Sequence, residues 1–140
     1  MKFTLIALPT RHTGVPFPNL GAIAIAQTVR MTGHEVSLID IVRYRYTIDE
    51  VITKVKELKP DLIGLSGIIT FYYYFEPLAI MLKKFFPTIP IVIGGGITTA
   101  MDFIEANTEV DFLIKGEGEN GILELISMLS SARGGYTIFS

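Results

Sequence analysis

Between Ile89 and Thr99 the chain reads Ile-Pro-Ile-Val-Ile-Gly-Gly-Gly-Ile-Thr-Thr, a short apolar run stopped by three consecutive glycines. A run of this length, rich in β-branched residues and ended by glycine, reads as a strand buried on both faces. Each glycine loses more backbone entropy on folding than any other residue would, so three in a row suggest that the backbone here approaches something closely. The carboxyl end of a parallel strand is where open α/β sheets bind ligands. The plainer alternative is that the glycines only shape a tight strand-to-helix turn.

The rest of the chain alternates in the same style. Strand-like runs at Phe3 to Leu8, Val36 to Ile39, Leu62 to Ser66 and Val110 to Ile114 join the glycine-stopped one, and helical patterns separate them. The first helix is expected to start at Leu20 with Asn19 as its cap. Its inward face is expected to carry Leu20, Ile23, Ala24, Gln27 and Met31, with Gly33 ending it. Thr47-Ile48-Asp49-Glu50 has capping-box spacing before the stripe Val51, Ile52, Val55 and Leu58. A third helix is expected from about Tyr74 to Phe86, and a fourth from Thr99, capped by Thr99 with Asp102, to about Asn107. Ile122, Leu125, Ile126 and Leu129 mark the last. Five strands alternating with five helices predict a three-layer, doubly wound parallel sheet of α/β class with right-handed crossovers. In the flavodoxin-like order 2-1-3-4-5, a ligand site would be lined by the loops after Leu8, Ser66, Ile93 and Lys115.

Composition narrows the function. With 140 residues the chain is one domain's worth, and 49% hydrophobic against 19% charged residues describes a compact globule. Residues 1–131 form that domain in this reading. Residues 132–140 read as a linker or the start of a following domain. A formal charge of −2 offers no footprint for nucleic acid. The absence of cysteine rules out a disulfide, a thiolate zinc site or an iron–sulfur cluster built from this chain, and fits a cytoplasmic protein. Charged or polar residues interrupt every long apolar run, so no membrane span is expected.

Several ligand classes that use such a sheet edge leave residues that are missing here. A phosphoacceptor domain needs acidic groups after the first and third strands; Lys115 suits it, but Leu8-Pro9-Thr10 and Ser66 do not. Pro16 and Pro18 count against a flavin phosphate loop, and there is no G-x-G-x-x-G and no Walker lysine. What is present is Thr10-Arg11-His12-Thr13-Gly14, Ser66-Gly67-Ile68 and Gly94-Gly95-Gly96. These stand where cobalamin-binding domains carry D-x-H-x-x-G, S-x-L and G-G.

Over essentially its whole length the chain resembles the N-terminal cobalamin-binding domain of radical S-adenosylmethionine enzymes of the Mg-protoporphyrin IX monomethyl ester cyclase type. The resemblance is carried by Pro16-x-Pro18-x-Leu20-Gly21, Gly33-His34-Glu35-Val36-x-x-Ile39-Asp40, Lys59-Pro60-Asp61-x-Ile63-Gly64-x-Ser66, Ile91-Val92-Ile93-Gly94-Gly95 and Val110-Asp111-Phe112-x-Ile114-x-Gly116-Glu117-Gly118-Glu119. It implies that cobalamin is held by Pro9, Thr10, Ser66, Gly67, Ile69, Thr70, Gly94, Gly95, Gly96, Thr98, Gly116 and Glu117. It also implies His12 as a candidate cobalt ligand, although Thr10 stands where an aspartate would orient that imidazole. The domain itself would not catalyse. A following radical domain, beyond these residues, would hold the [4Fe-4S] cluster and S-adenosylmethionine of an oxidoreductase or methyltransferase. The alternative is a non-catalytic domain for another small ligand, flavin or nucleotide, or for a protein partner. Two features stay open: Phe71-Tyr72-Tyr73-Tyr74-Phe75 as an aromatic wall or a partner interface, and Arg43-Tyr44-Arg45-Tyr46 as a solvated loop or a docking face.

Overall fold

A computed structural model describes residues 1–10 and 19–131. Five parallel strands, β1 (Lys2–Ala7), β2 (Glu35–Asp40), β3 (Leu62–Ser66), β4 (Ile91–Gly94) and β5 (Phe112–Ile114), pair in the order β2-β1-β3-β4-β5. That is the expected flavodoxin-like order. Helices α1 (Leu20–Met31) and α6 (Gly118–Ser131) cover one face. Helices α3 (Ile48–Leu58), α4 (Tyr72–Phe85) and α5 (Met101–Asn107) cover the other, and a single turn, α2 (Ile41–Tyr44), follows β2.

The period-2 alternation of the strands sorts the core into two halves. Phe3, Leu5 and Ala7 of β1 and Val92 of β4 pack with Ala22, Val29, Ile122 and Ile126 under α1 and α6. Ile6, Ile63, Leu65 and Ile93 point the other way, onto Val51, Val55, Phe75, Leu78 and Leu82. The register sets two rungs on the α1/α6 face. Leu5, Gly64, Val92 and Phe112 lie in the lower one, and Ala7, Ser66, Gly94 and Ile114 in the upper one at the carboxyl rim.

Local chemistry fixes the ends. Asn19 accepts from the Ala22 N–H to cap α1, and Thr47 and Glu50 close a reciprocal capping box on α3. At the amino ends of β4 and β5, Asp111 Oδ2 accepts from Lys83 Nζ at 2.6 Å and from the Ile91 N–H at 2.8 Å.

Three expectations need correcting. The inward face of α1 carries Ala22, Ile25, Ala26 and Val29, whereas Leu20, Ile23 and Met31 face outward. Small residues let this helix lie close to the sheet, so its larger apolar residues misled the periodicity. Thr99 does not cap a helix. A 3₁₀ segment, Gly96–Ala100, follows the glycines directly, and the Thr99 hydroxyl donates to the Gly96 carbonyl. The Arg43–Tyr46 stretch is not wholly loop, because Asp40 accepts from the Arg43 N–H and winds α2. Strand ends otherwise differ by a residue or two from those expected. His12 and residues 132–140 lie outside the described residues.

Candidate functional site

A cleft of about 230 Å³ opens at the carboxyl rim, between the sheet and helices α1 and α6. It exists because side chains are missing at alternate positions of adjacent strands. Gly64 of β3 and Gly94 of β4 add no side chain of their own to the sheet surface, and Gly21 and Gly118 thin the two helices above it. Phe3 leans into the space beside Gly64, with its ring tip 2.7 Å from where a Cβ would stand there, and so forms the floor. Leu5, Val92, Ile25 and Ile122 complete the apolar lower part, while Ser66, Glu117 and Glu119 ring the mouth. A larger cleft of about 500 Å³ opens beside the edge strand β5, between α5 and α6. The smaller one opens at the carboxyl ends of β3, β4 and β5, the edge at which open α/β sheets bind ligands.

Two loops are pinned together behind the mouth. The Gly67 N–H donates to the Gly94 carbonyl and the Gly67 carbonyl accepts from the Ile97 N–H, at 3.2 and 3.0 Å. Gly95 has φ +92°, and a Cβ there would lie 2.6 Å from the Gly67 oxygen, so only glycine permits this approach. Thr98 is buried and donates from its hydroxyl to the Gly95 carbonyl at 2.9 Å. Leu8 donates to the Ser66 carbonyl at 2.9 Å and ties the end of β1 to that of β3.

The structure therefore brings Ser66, Gly94, Gly95, Gly116 and Glu117 together around one cleft. Gly67 and Thr98 shape it from behind, and Gly96 packs against Ile68 without bordering it. Pro9 is buried and Thr10 half-buried after β1, and Ile69 and Thr70 are exposed on a 3₁₀ turn; none of these four lines the cleft. Sequence reasoning missed Gly21, Gly64 and the apolar floor. The signal was present in the spacing Gly64-x-Ser66, two small residues on one face of a strand. The aromatic run divides and lies on the opposite face from the cleft: Phe71 and Phe75 are buried, Tyr72 sits against Phe75 and Phe103, and the Tyr74 hydroxyl donates to the Tyr46 carbonyl at 3.3 Å. Burial pushes the Tyr74 pKa up.

Among the described residues no cluster of three His, Asp or Glu side chains could hold a metal ion. A family profile described as the B12 binding domain matches residues 8–126, from just after β1 through β2, β3, β4 and β5 and into α6. The chain belongs to the B12-binding domain family.

Other relatives of this B12-binding domain agree with that placement. It is 30% identical over 129 residues, 89% of its length, to the anaerobic magnesium-protoporphyrin IX monomethyl ester cyclase of Synechocystis, of which it spans 26%. It is 28% identical to an uncharacterized methyltransferase of Pyrococcus horikoshii, of which it spans 30%. It superposes with a TM-score of 0.76 on OxsB, a cobalamin-dependent S-adenosylmethionine radical enzyme solved with aqua-cobalamin bound, at 25% identity, covering 92% of this chain and 18% of that one. The same score relates it to the radical S-adenosylmethionine methyltransferase TsrM of Kitasatospora setae at 21% identity, covering 94% and 26%; at that identity the likeness is one of fold.

Proposed function

We propose that this B12-binding domain holds cobalamin with the nucleotide tail in the glycine-lined cleft and the corrin ring across the carboxyl rim. The observation that carries this reading is the open sheet surface at Gly94, continued at Gly64 onto a floor of the Phe3 and Leu5 side chains and roofed by Gly21 and Gly118. A cleft of about 230 Å³ falls below the ~300–1,000 Å³ typical of pockets that swallow a whole drug-sized ligand. It suits a tail that slides in while the wide ring stays outside. Ser66 offers a hydroxyl to the tail, and Glu117 and Glu119 accept hydrogen bonds from the amides that edge a corrin. The same carboxylates would repel a polyphosphate, which disfavours a nucleotide in this place. Pro9, Thr10, Ile69 and Thr70 would meet the ring from the rim, and Gly67, Gly95, Gly96 and Thr98 would hold the loops in shape. Gly116, at φ +74°, turns the chain from β5 into α6 and so sets where Glu117 stands.

Bound cobalamin supplies a cobalt centre able to carry an alkyl group or exchange electrons; the domain's part is to bind and orient it. His12 would supply an imidazole to the cobalt. By analogy with the relatives, which are several times longer, the reaction belongs to a cytoplasmic polypeptide whose following radical domain carries the [4Fe-4S] cluster and S-adenosylmethionine, with residues 132–140 as the connection. No helix of the described residues is long and apolar enough to cross a membrane. The test is to mix the purified chain with hydroxocobalamin, desalt it and record the visible spectrum. One corrin per chain is expected, and a colourless protein would refute the proposal.

A further inference from the structure

The cleft is graded from polar to apolar along its depth, and this bears on which cobamide it takes. The side chains able to hydrogen-bond, Ser66, Glu117 and Glu119, all stand at the level of the strand ends or the turn into α6. One rung lower the surface is Leu5, Gly64, Val92 and the Phe3 ring. Leu5 and Val92 are each 3% exposed, and Phe3 is 1% exposed. Gly64 lies mid-strand between two paired neighbours, so its backbone groups are engaged in the sheet. Ile25 from α1 and Ile122 from α6 close the sides. Below Ser66 the lining side chains therefore offer no donor and no acceptor.

Resting on the reading that the tail occupies this cleft, we infer that the floor made by Phe3, Leu5, Ile25, Val92 and Ile122 selects a cobamide whose lower ring is edged by carbon, such as dimethylbenzimidazole, over one whose lower ring is a purine. A benzimidazole presents methyl groups and ring C–H to that floor. An adenine ring would carry an amine and bare ring nitrogens into it, where each loses water and gains no partner. Discrimination by unpaired buried polar groups exceeds what a missing methylene gives.

The experiment compares the affinity of the intact chain for three cobamides by visible-spectrum titration: those with dimethylbenzimidazole, cresol and adenine as lower ring. The cresol form has no ring nitrogen to detach from cobalt, so it separates the cost of detachment from that of burial. Dimethylbenzimidazole and cresol forms are expected to bind within a few-fold of each other, and the adenine form about tenfold or more weakly. Equal affinity for all three overturns the inference while leaving cobalamin binding intact; no binding of any of them defeats the underlying reading instead. Val92→Thr, which keeps the side-chain shape and puts a hydroxyl on the floor, is expected to narrow the adenine deficit several-fold. Ile25→Thr, on the half-buried helix wall, repeats the test should Val92→Thr not fold. An unchanged ratio in a folded variant counts against a ring seated on this floor.

Discussion

Replacing Gly94 with valine separates folding from cofactor binding more cleanly than any other single change. A Cβ at Gly94 would meet only the Ile114 carbonyl oxygen, at 3.8 Å, which is ordinary contact, and Gly94 is not among the glycines with positive φ. The backbone therefore accepts a β-branched residue, and stability should stay within about 1 kcal/mol of the parent or improve slightly. The added methyl groups, however, project into the upper rung of the cleft, where a tail ring would have to pass. A buried aromatic-sized ring removes roughly 150–250 Å² from water, which at about 25 cal/mol per Å² is ~4–6 kcal/mol. Excluding it weakens binding by about a thousandfold or more. Hydroxocobalamin titration read alongside a urea melt gives both quantities. A Gly94→Val protein that is folded and binds corrin with parental affinity would refute the placement of the tail, and Gly94→Ala should bind with an intermediate loss.

The neighbouring position should behave in the opposite way. Gly95→Ala forces a Cβ into φ +92° and to 2.6 Å from a backbone oxygen, so a loss of about 1–3 kcal/mol is expected in denaturant unfolding. Asp111→Ala strips the Ile91 N–H and Lys83 of their shared carboxylate; with Asp111 part-exposed the cost should be about 1–2 kcal/mol in the same assay, and corrin affinity should not change because the pair sits at the amino ends of the strands. The raised pKa of Tyr74 means the folded state favours the neutral phenol, so the stability it contributes is complete below the ordinary tyrosine value near 10 and is lost as pH rises through the folded one. Tyr74→Phe should flatten that alkaline loss in melts taken from pH 8 to 11.

The architecture was legible because alternation and burial both announce themselves in one dimension. Short runs rich in Val, Ile and Leu between helical patterns marked the strands, and right-handed crossovers allowed few orders. The rim was legible for the same reason, since Ser66, Gly94, Gly95 and Gly116 each end a strand or follow one. The cleft's floor was not. Leu5, Gly64 and Val92 are far apart in sequence and share a rung only once the register of three strands is known, and the Phe3 ring reaches that rung from the one below. Helix α1 differs from its apolar pattern for a physical reason: its close seat on the sheet takes Ala22 and Ala26 with Ile25 and Val29, and leaves Leu20, Ile23 and Met31 turned outward. The start of α5 was misjudged because the two threonine hydroxyls bond back to Gly95 and Gly96 within a 3₁₀ turn.

Backbone amide chemical shifts of the labelled chain, recorded with and without one equivalent of hydroxocobalamin, test the placement of the tail most directly. The largest changes should fall on Gly64, Ser66, Gly94 and Gly116 to Glu119, with Lys59 and Gly33 at the far ends of the strands unmoved. Changes concentrated on α3 and α4, or along the outer edge of β5, with the Gly64 and Gly94 amides unaffected, would contradict it.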